Sequence, residues 1–192
     1  MKQIPNLPKY LSQDQVELFF NAIPNYNKRD KALFLTIYRY GLRVSEAALL
    51  RVQDLNFTNN RIAIERMKNG ISTQRRLYSD VKKALRAYTR VREDNSDNLF
   101  TGRQGELGVS MMQKLFKRYA KKAGLDPNLS IHTLRHSIAV HSLETDYIDI
   151  RDVQDLLGHR AIQNTLIYAQ VTDKRRSQVD QALERSREVA SI

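Results

Sequence analysis

Four histidines, at positions 132, 136, 141 and 159, are the first side chains in this sequence whose chemistry calls for a test. His132 and His136 stand one helical turn apart, a spacing that two metal ligands on one helix would use. The rest of a metal site is missing: no Glu stands between them in an H-E-x-x-H arrangement, the chain has no cysteine, and the nearest acidic residue downstream is Glu144. No metal is expected. A second grouping is more economical. His132-Thr-Leu-Arg135 sets a proton carrier and a fixed cation three residues apart on one helix face. Such a pair suits a phosphate, because Arg offers a planar fork of donors to phosphate oxygens and His moves protons near neutral pH. By itself an i, i+3 His/Arg pair is common, and Tyr168, one of nine tyrosines, reads on residue type alone as half-buried packing.

Something must position these residues, and the periodicity supplies mostly helices. Ser12 with Gln15 makes a capping box ahead of Val16, Phe19, Phe20 and Ile23, so a helix is expected over 12–23. Others follow over 28–40, ending at Gly41, and from Val44 to Arg51. Between Asn56 and Tyr78 the period becomes two, and Asn69-Gly70 predicts a β-hairpin with a tight type I′ turn immediately after Lys68. Ser79 is expected to cap the next helix, and Ser110 with Gln113 another that runs to Gly124, with a loop over 95–108 between them. Further helices are expected over 131–144, 149–157 and 164–169, and a tail from Asp173. The fold expected is mainly α with one small antiparallel β-sheet, an α+β single domain.

The 192 residues suffice for one core, and 41% hydrophobic with 28% charged residues is ordinary globular composition. No run is long and apolar enough for a membrane span or a signal peptide, and zero cysteines rule out disulfides, so a cytoplasmic protein without membrane partners is expected. The net charge of +11 favours nucleic acid as partner, and Arg61–Arg92 alone carries ten Lys/Arg against Glu65 and Asp80. Within that stretch Arg75 and Arg76 are candidates for DNA phosphates. So are Lys114, Lys117 and Lys121, which form a basic strip with Arg118 and Lys122; the plainer account is an amphipathic helix with Leu115, Tyr119 and Ala123 on its apolar side.

Taken in order, the candidate residues resemble the catalytic domain of the tyrosine recombinases, the phage-integrase family, over almost the whole chain. Tyr10-Leu-Ser-Gln-Asp-Gln-Val16 looks like the entry to that domain, and Tyr40-Gly-Leu-Arg-Val-Ser-Glu-Ala-Ala-Leu-Leu50 resembles the first family box, which supplies Arg43. The hairpin resembles the β-turn that carries the family's catalytic lysine, matching Lys68. His132-Thr-Leu-Arg-His-Ser-Ile-Ala-Val-His141 resembles the second box, followed by Leu156-Leu-Gly-His159 and, nine residues after that histidine, Tyr168 within Thr165-Leu-Ile-Tyr-Ala169. All six expected positions are filled.

The resemblance implies site-specific DNA recombination without metal, ATP or other cofactor. Arg43 and Arg135 would hold and neutralise the phosphodiester, Tyr168 would attack phosphorus to give a 3′-phosphotyrosine, and His132 would accept its proton. Lys68 would protonate the departing 5′ oxygen and His159 would bond a non-bridging oxygen. Glu46 reads as support for the arginines. Implied partners are double-stranded recombination sites, further subunits in a tetramer on DNA, and DNA-bending accessory or directionality factors. Most relatives add an N-terminal helical domain that clamps DNA. This sequence begins where the catalytic domain begins, so 1–172 is expected as catalytic core and 173–192 as a tail helix of the kind exchanged between subunits. Such a half clamp should bind DNA weakly and salt-sensitively. The competing readings are a type IB topoisomerase, which the hairpin and box spacing disfavour, a regulator that keeps the fold without catalysis, which the six filled positions disfavour, and a metal-dependent nuclease, whose signature would be EDTA sensitivity.

Overall fold

In the computed structural model, which describes residues 8–67, 70–102 and 105–170, the chain forms eight α-helices and two small antiparallel sheets. The helices are α1 (Gln13–Asn21), α2 (Lys28–Tyr40), α3 (Val44–Leu49), α4 (Ser79–Thr89), α5 (Val109–Lys122), α6 (His132–Leu143), α7 (Ile150–Leu157) and α8 (Gln163–Ala169). The strands are β1 (Leu55–Asn56), β2 (Arg61–Ile64), β3 (Thr73–Arg76), β4 (Thr101–Gly102) and β5 (Gly105–Glu106).

Local chemistry sets most boundaries. The Ser12 hydroxyl accepts from the Gln15 backbone N–H while the Gln15 side chain accepts from that of Ser12, satisfying two donors at the start of α1. Gly41 ends α2 at φ 54°, a left-handed conformation that costs glycine no Cβ clash. Asp149 caps α7 through the amides of Arg151 and Asp152. Two start signals work differently from expectation. Tyr78, not Ser79, occupies the cap position of α4, whose first turn instead uses the Asp80 carboxylate on the Val81 amide. Gly108 starts α5, its carbonyl already accepting from Met111 and Met112, which leaves Ser110 inside the first turn.

One face of α2 (Leu33, Phe34, Ile37, Tyr40) joins Phe19 of α1, Ile62 and Ile64 of β2, Leu85 of α4 and Phe116 of α5 in the main core. Phe19, Phe34, Phe116 and Tyr119 meet there with ring centroids 5.1–6.5 Å apart, mostly edge to face. Helix α6 runs through the centre, buried from Thr133 to Ser142 apart from His136, and packs on α2, α7 and α8. A second cluster, Ala139, Val140, Val153, Leu157 and Tyr168, joins the last three helices. Among the described residues no helix is long and apolar enough to cross a membrane.

The hairpin strands are present, and the tight turn expected at Asn69-Gly70 falls partly on residues outside those described. Strand β2 pairs with β3 so that Ile64 lies opposite Thr73, and residues 65–72 connect them. The described residues beside it are held by tertiary contacts: the Arg66 side chain is buried, its amide donates to Ser72 Oγ at 3.0 Å, and the Ile71 amide reaches the Gly158 carbonyl at 3.4 Å. Strand β1 adds an edge to β2 through a turn in which Asn60 takes φ 52°, tolerated because an Asn side chain compensates locally. The stretch expected as loop before α5 contains the β4–β5 ribbon. Asn69 and the tail from 171, including the expected tail helix, lie outside the described residues.

Candidate active site

A buried carboxylate organises the site. Glu46, three residues into α3, has a fully buried side chain that accepts from the Arg43 backbone N–H at 2.8 Å and from Arg43 Nη1 at 2.7 Å. Oε2, the oxygen that takes the Arg43 amide, also accepts from Arg66 Nη1 at 2.8 Å, and Arg135 Nη1 stands 3.8 Å from it. Three guanidinium groups thus share one carboxylate.

Arg135 comes from the buried side of α6. It donates to the carbonyls of Gly41 and Leu157, the latter at 3.0 Å, and Nη2 donates to His159 Nε2 at 2.8 Å. Arginine has no acceptor, so Nε2 must be unprotonated; the ring proton sits on Nδ1 and is donated to Thr165 Oγ1 at 2.9 Å. That bond ties the α7–α8 turn to α8. One helical turn after Thr165, the Tyr168 hydroxyl lies 2.8 Å from His136 Nδ1. Helix α6 therefore supplies both a guanidinium and the partner of the tyrosine.

Burial sets the charges of this cluster. It would push the Glu46 carboxyl up, but the Arg43 amide and the Arg66 charge outweigh it, so the group sits below the usual range and stays ionised. Burial and the neighbouring Arg43 bring Arg135 down to about 10, still charged at neutral pH. His159 falls to about 4 through burial and the Arg135 and Arg43 charges, and His136 to about 4 through burial, His132 and Arg135. Both are neutral acceptors or donors above that. Burial raises Tyr168 while the Arg135 and Arg43 charges pull it down. The result is a concentration of positive charge beside a protonated phenol, a constellation suited to an anion on which more negative charge develops.

The two depressed imidazoles have a thermodynamic consequence. Each binds a proton in the unfolded chain near its ordinary value, but in the folded chain only near pH 4, so the unfolded state takes up more protons between those limits. Stability is full above that window and falls as pH drops through it. Thermal melts are expected to show a falling Tm from about pH 6.5 to about pH 4, with a smaller fall in His136→Asn.

Of the residues singled out in the sequence, the structure brings Arg43, Arg135, His159 and Tyr168 together around Glu46, and Glu46 links the arginines as expected. Lys68 lies outside the described residues, although Met67, just before it, directs its amide at Glu46 Oε1 at 3.4 Å. His132 is the exposed first residue of α6, and its charge acts on His136. Arg75 is held by Asp155 at 2.7 Å and Arg76 is exposed on β3. Lys114, Lys117 and Lys121 are exposed on α5, whose other side packs on α1 and α3; Lys117 reaches the Pro127 carbonyl. Among the described residues no three His, Cys, Asp or Glu side chains gather as a metal would require, and His136, His141 and His159 each have a different partner.

The sequence reading passed over two residues. Arg66 continues the inward alternation of Ile62 and Ile64, the signal that would have placed it in the core. There Nη2 donates to the Tyr40 carbonyl at 3.0 Å and to that of Leu156, and its stem fills the space where Gly158 lacks a side chain; a Cβ at Gly158 would stand 2.7 Å from Arg66 Cγ. His136 was weighed only as a metal ligand, and no spacing rule connects it to Tyr168.

The family model described as "Phage integrase family" matches residues 9–175. The chain is similar to "Tyrosine recombinase XerA" of Pyrococcus horikoshii, 35% identical over 191 residues that cover 97% of this chain and 64% of the relative. It is also similar to "Type 1 fimbriae regulatory protein FimE" of Escherichia coli, 33% identical over 168 residues, 83% of this chain and 84% of the relative. The chain spans under two thirds of the length of the XerA relatives. A crystal structure of XerA recombinase superposes with a TM-score of 0.80 at 27% identity, over 93% of this chain and 66% of that one. The structure of XerH recombinase in a post-cleavage complex with its difH substrate superposes at 0.75 and 22% identity, over 93% and 54%, and shows a shared fold.

Proposed function

This chain belongs to the phage integrase family of tyrosine recombinases, and from that premise we propose that it cuts and rejoins DNA at specific sites through a 3′-phosphotyrosine at Tyr168. The observation that carries the proposal is the placement of the Tyr168 hydroxyl on the same helix-to-helix seam as Arg135 and His159, with Arg43 oriented beside them by Glu46.

In this reading the scissile phosphate enters between Arg43 and Arg135. Their forks bind its non-bridging oxygens and stabilise the charge that grows as phosphorus becomes five-coordinate. The Tyr168 oxygen attacks, its proton leaving the contact with His136 and passing to His132, while the bond from phosphorus to the 5′ oxygen breaks and Lys68 protonates that oxygen. His159, whose ring orientation Thr165 fixes, shifts a hydrogen bond to a phosphate oxygen. A 5′-hydroxyl of the partner strand then attacks the phosphotyrosine and returns the phenol. One phosphodiester is exchanged for another through an ester of similar energy, so neither ATP nor a cofactor is required.

Double-stranded DNA is the proposed substrate, approached by the exposed basic residues Arg76, Lys114, Lys117 and Lys121, with Arg75 freed from Asp155. Assembly into a tetramer through the segment from 173, help from DNA-bending or directionality factors, and a cytoplasmic setting complete the proposal; residues 1–172 act as the catalytic core.

The test is covalent trapping. Nicked duplexes carrying candidate recombination sites are incubated with the chain in EDTA, denatured, and the adduct digested. A denaturation-resistant protein–DNA species whose nucleotide maps to the peptide containing Tyr168 is expected. An adduct on another residue, or cleavage that requires a divalent ion and leaves no adduct, would refute the proposal.

A further inference from the structure

We propose that His136 is a positioning residue for the nucleophile: its Nδ1 accepts the hydrogen bond of the Tyr168 hydroxyl and thereby turns the oxygen lone pairs toward the Arg43–Arg135 site. This rests on the function proposed above and assigns a role to a residue that function leaves unused.

The geometry is specific. Tyr168 is 3% exposed, its ring packed with Ala139, Val140, Val153 and Leu157 in the second core cluster. Its backbone is held one turn earlier, where Thr165 accepts from His159, which in turn accepts from Arg135. With backbone and ring fixed, what remains undetermined is the direction of the hydroxyl, since a phenol O–H lies in the ring plane and can point to either side of the C–O bond. His136 settles it at 2.8 Å.

A donated O–H points one way, and the oxygen lone pairs then face away from the acceptor, where an incoming phosphorus can meet them. The His136 ring lies 5.7 Å from the tyrosine ring, centroid to centroid, so the two side chains also support each other by contact. His136 directly follows Arg135 on α6. The element that fixes the phosphate-binding fork therefore also fixes the nucleophile, and a shift of α6 moves both together. Burial keeps His136 unprotonated through the neutral range, as an acceptor must be.

Three substitutions separate position from other roles. Asn places Oδ1 close to where the imidazole has Nδ1, so His136→Asn keeps an acceptor in place without a titratable group. His136→Gln carries its acceptor one bond further out, and His136→Ala has none. On a nicked duplex that gives an adduct with the wild type, His136→Ala and His136→Gln are expected to form it about 10- to 100-fold more slowly, the cost of a misplaced reacting atom. His136→Asn should recover most of the rate. Non-covalent affinity for the same duplex should be unchanged in all three.

Overturning results are an alanine variant as fast as or faster than the wild type, which would make the bond a restraint, or an asparagine variant as slow as alanine at equal Tm, which would make His136 a proton acceptor. If substitution to Ala unfolds the chain, the comparison of Asn with Gln still decides. A second measurement needs no DNA: the 15N shift of His136 should report an unprotonated Nδ1, moving in Tyr168→Phe, whereas a protonated Nδ1 overturns the assignment. Absence of any wild-type adduct combined with the expected 15N shift would count against the proposed function and leave this hydrogen bond standing.

Discussion

Tyr168→Phe is expected to abolish the covalent adduct completely while leaving the chain folded and bound to DNA. The phenyl ring keeps every apolar contact that tyrosine makes with Ala139, Val140, Val153 and Leu157, so the α6–α7–α8 cluster stays packed. What disappears is the hydroxyl and its bond to His136. A typical buried hydrogen bond is worth about 1 kcal/mol net, and removing the donor leaves a half-buried imidazole nitrogen without its partner, so a small drop in Tm is expected. Chemistry has no fallback, because a ring carbon cannot attack phosphorus and, among the described residues, no other hydroxyl is held by His136. Gel trapping against an affinity titration on the same duplex checks both halves. A residual adduct in the variant would show that another residue is the nucleophile.

Glu46→Gln is expected to cost the most stability of any single isosteric change in this chain. Glutamine fits the same space, yet it cannot answer Arg43, Arg66 and Arg135 with a charge, and its amide group presents donors to donors. Removing one partner from a buried ionic cluster costs about 3–5 kcal/mol, and in a chain of this size each kcal/mol lowers Tm by about 2–4 °C. The melting temperature should therefore fall by roughly 10 °C. Cleavage should also slow by about 10²–10³-fold, since Arg43 loses the contact that orients its fork. Thermal melts and single-turnover trapping at a temperature where the variant remains folded separate the two losses; a Tm within a degree or two of the wild type would contradict the central place given to this carboxylate.

The helices were legible because their signals are local. The capping box at Ser12 and the glycine after Tyr40 act through neighbouring residues and appear at the expected places. The sheet was less so. Alternation at Ile62 and Ile64 marked the strand, but Arg66 just after it reaches across to Leu156, 90 positions along the chain, and to Gly158. No window of sequence contains that constraint. For the site, ordered motifs singled out Arg43, Arg135, His159 and Tyr168, which the fold places near one another, whereas Arg66 and His136 were passed over. Arg66 lies on the inward face that Ile62 and Ile64 begin, a face not followed beyond Ile64. His136 was judged against metal spacing, and its real partner becomes its neighbour only when α8 folds back on α6.

The cluster around Glu46 carries three positive groups and one negative group. A chamber built this way is satisfied by any phosphodiester, since every nucleotide presents the same oxygens whatever base it bears. It is blind to sequence. In the proposed function, discrimination among DNA sites is therefore exercised before the backbone reaches the arginines, by surfaces that touch base edges or sense how readily the duplex bends. Chemistry and addressing are thus separable in that proposal, the one lodged at the arginines and the other at the periphery.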